Sequence, residues 1–163
     1  MMYQLTKAIS IFIFIWSFSF STTAQSSKKN SPKVKVNFTK LSGFSLKPEA
    51  EPKSGYFTQL FARKIQFDQH FNGSGGKISS QINFEKFVVL ACAVPKSKFE
   101  TNISLEKIFK DNGVMKVYFI TTIGKKPETK KTIPQAMYTM AQDNSIYGID
   151  YFVDGKMVMD LRN

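Results

Sequence analysis

The chain has 163 residues, with 23 Lys or Arg, 12 Asp or Glu and a formal net charge of +11. This length fits one domain with an extension, and the 42% of hydrophobic residues exclude a wholly disordered chain. A single His and a single Cys exclude sites built from several such ligands, including structural zinc sites, and one Cys excludes a disulfide within the chain.

The first 24 residues have the pattern of a secretory signal peptide. Lys7 precedes an apolar run at 8–20 (AISIFIFIWSFSF), and small residues follow as far as Ala24. The run is shorter than the roughly 20 residues that a spanning helix needs, although an uncleaved membrane anchor is the alternative. We therefore predict export to the periplasm, the cell surface or the medium, with no transmembrane span in the mature chain.

Residues 25–55 are predicted to form a flexible basic arm and linker. Residues 25–32 (QSSKKNSP) are polar and basic, and residues 47–55 (KPEAEPKSG) are charged and contain two prolines. Apolar residues alternate with polar ones at 34–38, which predicts a short strand there. The globular β-rich domain is expected to span residues 56–163, and pairing of the 34–38 strand back onto it is the alternative.

Residues 57–71 predict one short helix on the N-terminal side of the domain. Phe57, Phe61 and Ile65 recur at intervals of four, as on one helix face. A strand at 60–65 followed by a brief helix at 67–71 is the alternative. Three glycines at 72–76 (NGSGG) end this segment and predict a flexible loop, because the Lys-Ser/Thr pair of a phosphate-binding loop is missing.

From residue 82 onward the pattern is typical of β-strands. The apolar run at 87–94 contains Cys92, whose thiol we expect to be buried. Two hairpins are predicted by turn residues, Asn112-Gly113 between strands at 101–108 and 114–123, and Asp154-Gly155 between strands at 146–153 and 157–161.

One further strand is predicted at 136–141, with Met137 and Tyr138 on opposite faces, and a basic loop at 124–131 (GKKPETKK). These strands predict a mainly β fold (β-rich α+β), an antiparallel meander or sandwich-like sheet with one short helix.

No catalytic constellation stands out. Asp150 and Asp154 are four residues apart but lack the spacing of a calcium loop. A nucleophilic Cys92 would need His70 as its base, and nothing in the sequence brings them together. We therefore expect a non-enzymatic protein without a cofactor or metal.

Lysines carry most of the positive charge, and they cluster in the N-terminal arm and in the loop at 124–131. The lysines of that loop are Lys125, Lys126, Lys130 and Lys131. They form either a solvated face or a contact with an acidic protein, an acidic glycan or an anionic envelope polymer. Nucleic acid is not expected, because only Arg63 and Arg162 offer a guanidinium for phosphate recognition.

The stretch at 82–91 (INFEKFVVLA) resembles the C-terminal domain of the PrcB-like protease-complex family, in which an apolar-Asp-Phe step leads into a Val-Leu strand. The strand at 103–108, its return at 114–123 and Thr132-Ile133-Pro134 before the strand at 135–141 extend the resemblance over about residues 56–158. Residues 96–101 (KSKFET) replace the family's Gly-Gly-Tyr segment, and Ala141-Gln142 replaces its Pro-Lys, so no residue role is transferred.

This resemblance implies a small exported module that supports another envelope protein, in the founding case a protease. We therefore expect an exported, non-enzymatic module that binds or stabilises an envelope or secreted protein, with a sheet edge as its contact. A cationic module that binds an acidic glycan or anionic envelope polymer is the alternative. At least half of the methionines in the last three strands are expected to fill the core; the four are Met137, Met140, Met157 and Met159.

Overall fold

The computed structural model describes residues 33–129 and 133–162. The predicted signal peptide and residues 25–32 of the arm lie outside these ranges. Within them the chain forms eleven β-strands and one α-helix, and no helix there is long and apolar enough to cross a membrane. The elements are β1 Val34–Lys35, β2 Phe38–Leu41, β3 Phe44–Leu46, β4 Phe57–Phe61, α1 Lys64–His70, β5 Phe71–Gly73, β6 Phe87–Ala93, β7 Phe99–Asp111, β8 Val114–Pro127, β9 Gln135–Ala141, β10 Gly148–Val153 and β11 Lys156–Arg162.

Two sheets pack face to face as a sandwich. One has the order β1-β7-β8-β10-β11 and the other β2-β9-β6-β4, while β3 and β5 form a third, two-stranded sheet. Neighbouring strands are antiparallel except β8 and β10, which are parallel. The predicted class is confirmed, a mainly β fold with one short helix. The strand order is not that of a meander, because the chain changes sheets between β6 and β7 and again between β8 and β9.

The first hydrophobic core fills the space between the two large sheets. Alternate residues of β6, namely Val88, Leu90 and Cys92, face β8 and β10, from which Val117 and Tyr151 project. Cys92 is 1% exposed, as predicted, and burial raises the pKa of its thiol above the ordinary value.

The second core lies on the opposite face of the four-stranded sheet, beneath α1, β3 and β5. The ring of Phe67 stacks on Phe71 with centroids 4.8 Å apart and meets Phe61 edge-on at 5.6 Å. Met137 belongs to this core and Tyr138 to the first, which confirms their predicted opposite faces.

Both predicted hairpin turns are confirmed. Asn112 and Asp154 have φ of 50°, and the glycines that follow them, Gly113 and Gly155, have φ of 75° and 76°. A two-residue turn of this type needs positive φ at both positions, which Asn-Gly and Asp-Gly supply at the smallest steric cost.

The compact fold begins earlier than residue 56. β1 pairs with β7, β2 pairs with β9 and β3 pairs with β5, so residues 34–46 belong to the sheets and not to a flexible arm and linker. The alternation at 34–38 predicts one short strand, whereas β1 ends at Lys35 and β2 begins at Phe38. β3 is not predicted, because a strand of three residues with a distant partner shows no period in the sequence.

The helix lies within residues 57–71 but begins only at Lys64. Phe57 and Phe61 lie in β4, so the interval of four does not mark a helix face, and the strand-then-helix alternative describes the segment better. Two predicted loops are also shorter than expected. Asn72 and Gly73 belong to β5, and residues 124–127 extend β8.

Candidate functional site

The β7–β8 hairpin is longer than its neighbours, so one half of it extends beyond the sheet. β8 pairs with β10 only from Val114 to Phe119, and β7 pairs with β1 only at Phe109 and Lys110. We call residues 99–104 and 120–127 the distal ribbon. Within the described ranges, the two strands of the distal ribbon pair with each other and with no third strand.

Asp154 marks the point where β8 leaves the sheet. Its N–H donates to the Phe119 carbonyl at 3.0 Å, and its carboxylate accepts the Thr121 N–H at 2.8 Å and the Thr121 hydroxyl at 2.6 Å. Along a paired strand, the backbone N–H and C=O groups of successive residues point to alternate sides. Thr121 points toward Asp154, so Thr122 points toward β7, and Ile123 directs its N–H and C=O away from β7. The uncovered edge of β8 therefore begins at Ile123.

Large apolar side chains are exposed on the distal ribbon. Ile123 is 64% exposed and Ile120 is 44% exposed, and Phe99 is exposed at the far end. The register of the hairpin shifts between Ile123 and Pro127. The exposed side chains of Lys125 and Lys126 lie in this irregular stretch, and Glu100 is the acid of the ribbon sequence.

Of the four lysines predicted to contact a partner, the structure therefore places Lys125 and Lys126 at the end of an uncovered strand. Lys130 and Lys131 lie outside the described residues. Sequence reasoning missed Ile120 and Ile123, because an exposed apolar residue in a strand looks the same in sequence as a buried one.

A second concave site, the end cavity, lies between the two sheets at the end that holds the β7–β8 turn. Its volume is about 430 Å³, and its depth is formed by the buried side chains of Val88, Met115, Met140 and Ile149. Gly148 also lines the cavity and is buried. The remaining lining residues form the rim; they are Leu60, Ala62, Gln142, Asp143, Asn144, Ile146, Tyr147 and Leu161.

The loop after β9 forms much of the rim of the end cavity, and hydrogen bonds hold this loop in place. The Asp143 carboxylate accepts hydrogen bonds from the Lys110 ammonium at 2.7 Å, from the Ser145 hydroxyl and from the Ser145 N–H at 2.9 Å, and these bonds lower its pKa to about 2. Tyr147 donates its N–H to the Gly113 carbonyl at 3.0 Å, and a Cβ at Gly113 would lie 2.5 Å from the Tyr147 ring. Glycine at this position therefore permits the loop to pack against the turn.

An aromatic row crosses the outer face of the five-stranded sheet. Tyr118 stacks on Phe109 and Phe152 with centroids 5.7 Å and 4.4 Å apart, and the ammonium groups of Lys107 and Lys33 lie over Tyr118 and Phe109. The stacking and these two lysines stabilise the cross-strand packing of the row.

The groups considered for catalysis are separated. Cys92 lies between the two large sheets, whereas His70 packs beside Phe57 on the other side of the four-stranded sheet and its Nδ1 lies 2.9 Å from the Gln66 carbonyl. Asp150 pairs with Arg162 at 2.6 Å, while Asp154 caps β8. In the part of the chain that the structure describes, no three His, Cys, Asp or Glu residues are grouped as metal ligands would be.

No protein-family model, curated protein or solved structure matches this chain.

Proposed function

We propose that this protein is a non-catalytic exported module that binds an extended segment of a partner protein by strand addition to the distal ribbon. The observation that carries this proposal is the uncovered edge of β8, where outward backbone groups begin at Ile123 beside two exposed isoleucines. In strand addition the main-chain hydrogen bonds supply affinity, and contacts with alternate side chains supply specificity.

The chemistry of the ribbon favours an apolar and acidic partner segment. Ile120 and Ile123 offer apolar contact, and the ammonium groups of Lys125 and Lys126 follow them along the strand. Lysines and an irregular register on an edge strand oppose pairing between two copies of the same chain. An acidic segment meets no such repulsion, so the lysines select a partner of opposite charge.

The resemblance to PrcB-like proteins supports an envelope or secreted protein, such as a protease, as the partner. The lysines equally support the alternative, a cationic module that binds an acidic glycan or an anionic envelope polymer. Salt separates the two, because exposed charges are screened beyond about 8 Å at 0.15 M, whereas backbone pairing with apolar contacts is not.

The test is a pull-down with tagged residues 25–163 on envelope extract of the source organism, washed at low and high salt. Ile123→Pro removes the outward N–H without breaking the β7–β8 ladder, and we expect it to abolish capture of a protein that resists high salt. Ile78→Ser is the control, because Ile78 is similarly exposed but lies away from the ribbon, and this variant should capture the partner normally.

Capture by itself does not support strand addition; the Ile123 amide must also gain protection from hydrogen exchange in the complex. Equal capture by Ile123→Pro and by the unmodified chain would contradict the ribbon as the site. Capture of polyanions alone, lost as salt rises, would favour the cationic module instead.

A further inference from the structure

The end cavity has apolar side chains at its depth and polar side chains at its rim. The side chains at its depth are aliphatic or thioether groups, and its polar side chains lie at the rim; they are Gln142, Asp143, Asn144 and the hydroxyl-bearing Tyr147. Its volume of about 430 Å³ lies within the range of small-molecule sites, roughly 300–1,000 Å³.

The depth of the end cavity suits a flexible aliphatic chain. Met115 and Met140 are unbranched and adapt to irregular shapes, and Val88 and Ile149 add branched aliphatic walls. The one aromatic lining residue, Tyr147, lies at the rim, and its ring is placed by Gly113. A ligand that needs aromatic stacking or buried hydrogen bonds would find neither at depth.

The rim suits an uncharged polar group. The carboxylate of Asp143 is already bonded to the Lys110 ammonium, and Arg162, next to the lining residue Leu161, is already paired with Asp150 and Asp160. A charged head group would have to compete with these ion pairs. The neutral amides of Gln142 and Asn144 can instead bond to hydroxyl groups at no such cost.

We propose that the end cavity binds the aliphatic chain of a single-chain amphiphile whose uncharged, hydroxyl-bearing head lies against residues 142–144. This site is separate from the distal ribbon and does not depend on the function proposed for it. The loop after β9 is fixed before binding by its bonds to Lys110 and Gly113, so little ordering accompanies entry of the chain.

The test is a calorimetric titration of the protein with n-alkyl glucosides of increasing chain length, each below its critical micelle concentration. We expect affinity to rise about fourfold per added methylene, which is 0.8 kcal/mol per buried CH₂, and to level off once the chain exceeds the cavity. Alkyl carboxylates and alkyltrimethylammonium ions of the same length should bind more weakly. Affinity that does not change with chain length, or binding by micelles only, would contradict the proposed binding of the chain in the cavity. Tighter binding of a charged series would contradict the proposal that the head group is uncharged.

Two exposed residues of β11 provide matched variants. Leu161 lines the cavity and is 42% exposed, whereas Met157 is 54% exposed and does not line it. Leu161→Ser should weaken glucoside binding by about tenfold, and Met157→Ser should leave it unchanged. Ala62→Phe, which fills the cavity, should abolish binding. Equal effects of the two serine variants would overturn the proposal even if Ala62→Phe did not fold.

Discussion

Two buried tyrosines have opposite hydrogen-bonding situations in the same core. The hydroxyl of Tyr151 has no hydrogen-bond partner among the described residues, and burial raises its pKa. The hydroxyl of Tyr138 accepts a hydrogen bond from the N–H of Leu105 at 3.0 Å and thereby satisfies a backbone donor of β7. A buried polar group without a partner lowers stability, whereas a satisfied one supports it.

We therefore predict that Tyr151→Phe leaves stability unchanged or raises it by up to about 1 kcal/mol, because only an unsatisfied hydroxyl is lost. Tyr138→Phe should lower stability by about 1 kcal/mol, because it leaves the Leu105 N–H without an acceptor. Chemical denaturation of both variants measures the difference. A loss of stability in Tyr151→Phe larger than that in Tyr138→Phe would contradict this prediction and would indicate a bound water at the Tyr151 hydroxyl.

Asp143 makes part of the stability dependent on acid. Its pKa in the folded protein is about 2, chiefly because the Lys110 ammonium donates to the carboxylate, while an unfolded Asp titrates near 3.9. A lowered folded pKa stabilises the protein fully above the unfolded pKa, and this stabilisation disappears as the pH falls toward 2.

The stability difference between the unmodified chain and Asp143→Asn should thus be present at pH 6 and shrink between about pH 4 and pH 2. It should be small, because the carboxylate is partly exposed to solvent and is screened. Lys110→Met should lose only part of this pH dependence, because Ser145 also donates to the Asp143 carboxylate, and the double variant should behave like Asp143→Asn. Denaturation at several pH values checks this. A difference that persisted at pH 2 would assign the effect to packing instead.

At the scale of elements, one carboxylate sets where the β8–β10 pairing ends. We predict that the Thr121 amide is protected from hydrogen exchange by Asp154, while the Ile123 amide, two residues along, exchanges freely. Asp154→Ala should expose the Thr121 amide and cost about 1–2 kcal/mol, because it removes two hydrogen bonds at a residue with positive φ.

Asp154→Asn is the control for this prediction. Its side-chain oxygen can still accept the Thr121 N–H, and Asn tolerates positive φ, so most of the protection should remain. Exchange measured by NMR resolves both amides. Equal protection in all three proteins would show that Asp154 does not hold the strand.

The sequence predicts those elements whose determinants are local. The two hairpins follow from Asn112-Gly113 and Asp154-Gly155, and the faces of β9 follow from the alternation of Met137 and Tyr138. β2 and β3 are missed because they have four and three residues and are fixed by partners elsewhere in the chain. The parallel pairing of β8 with β10 is missed because no local pattern encodes it.

The candidate site also combines features that are local in the sequence with features that depend on distant strands. Lys125 and Lys126 are visible in the sequence as a charge cluster. The exposure of Ile123 depends on where β10 ends, and the end cavity depends on how two sheets diverge. Both are properties of strand pairs far apart in sequence, so neither could be predicted from the sequence alone.

At the scale of the whole sandwich, β6 connects the two cores. Val88, Leu90 and Cys92 point into the core between the large sheets, and Val89 and Ala91 point into the core beneath α1. Because one strand contributes to both cores, we expect them to lose their packing together.

Phe67→Ala in the second core and Leu90→Ala in the first should each cost about 2–5 kcal/mol and leave a single unfolding transition. Far-ultraviolet and near-ultraviolet circular dichroism should therefore give coincident melting curves for both variants. A separate early transition in Phe67→Ala would show that α1, β3 and β5 unfold on their own.

The pairing of β2 with β9 also has a consequence for how the chain reaches its fold. Phe38 lies opposite Met140, so an edge of the four-stranded sheet joins segments from the two ends of the described chain. Closing such a loop costs entropy before its contacts form, and folding slows as contacts become less local. A ribosome delivers residue 38 long before residue 140, so β2 stays without its neighbour until more than a hundred further residues have been made.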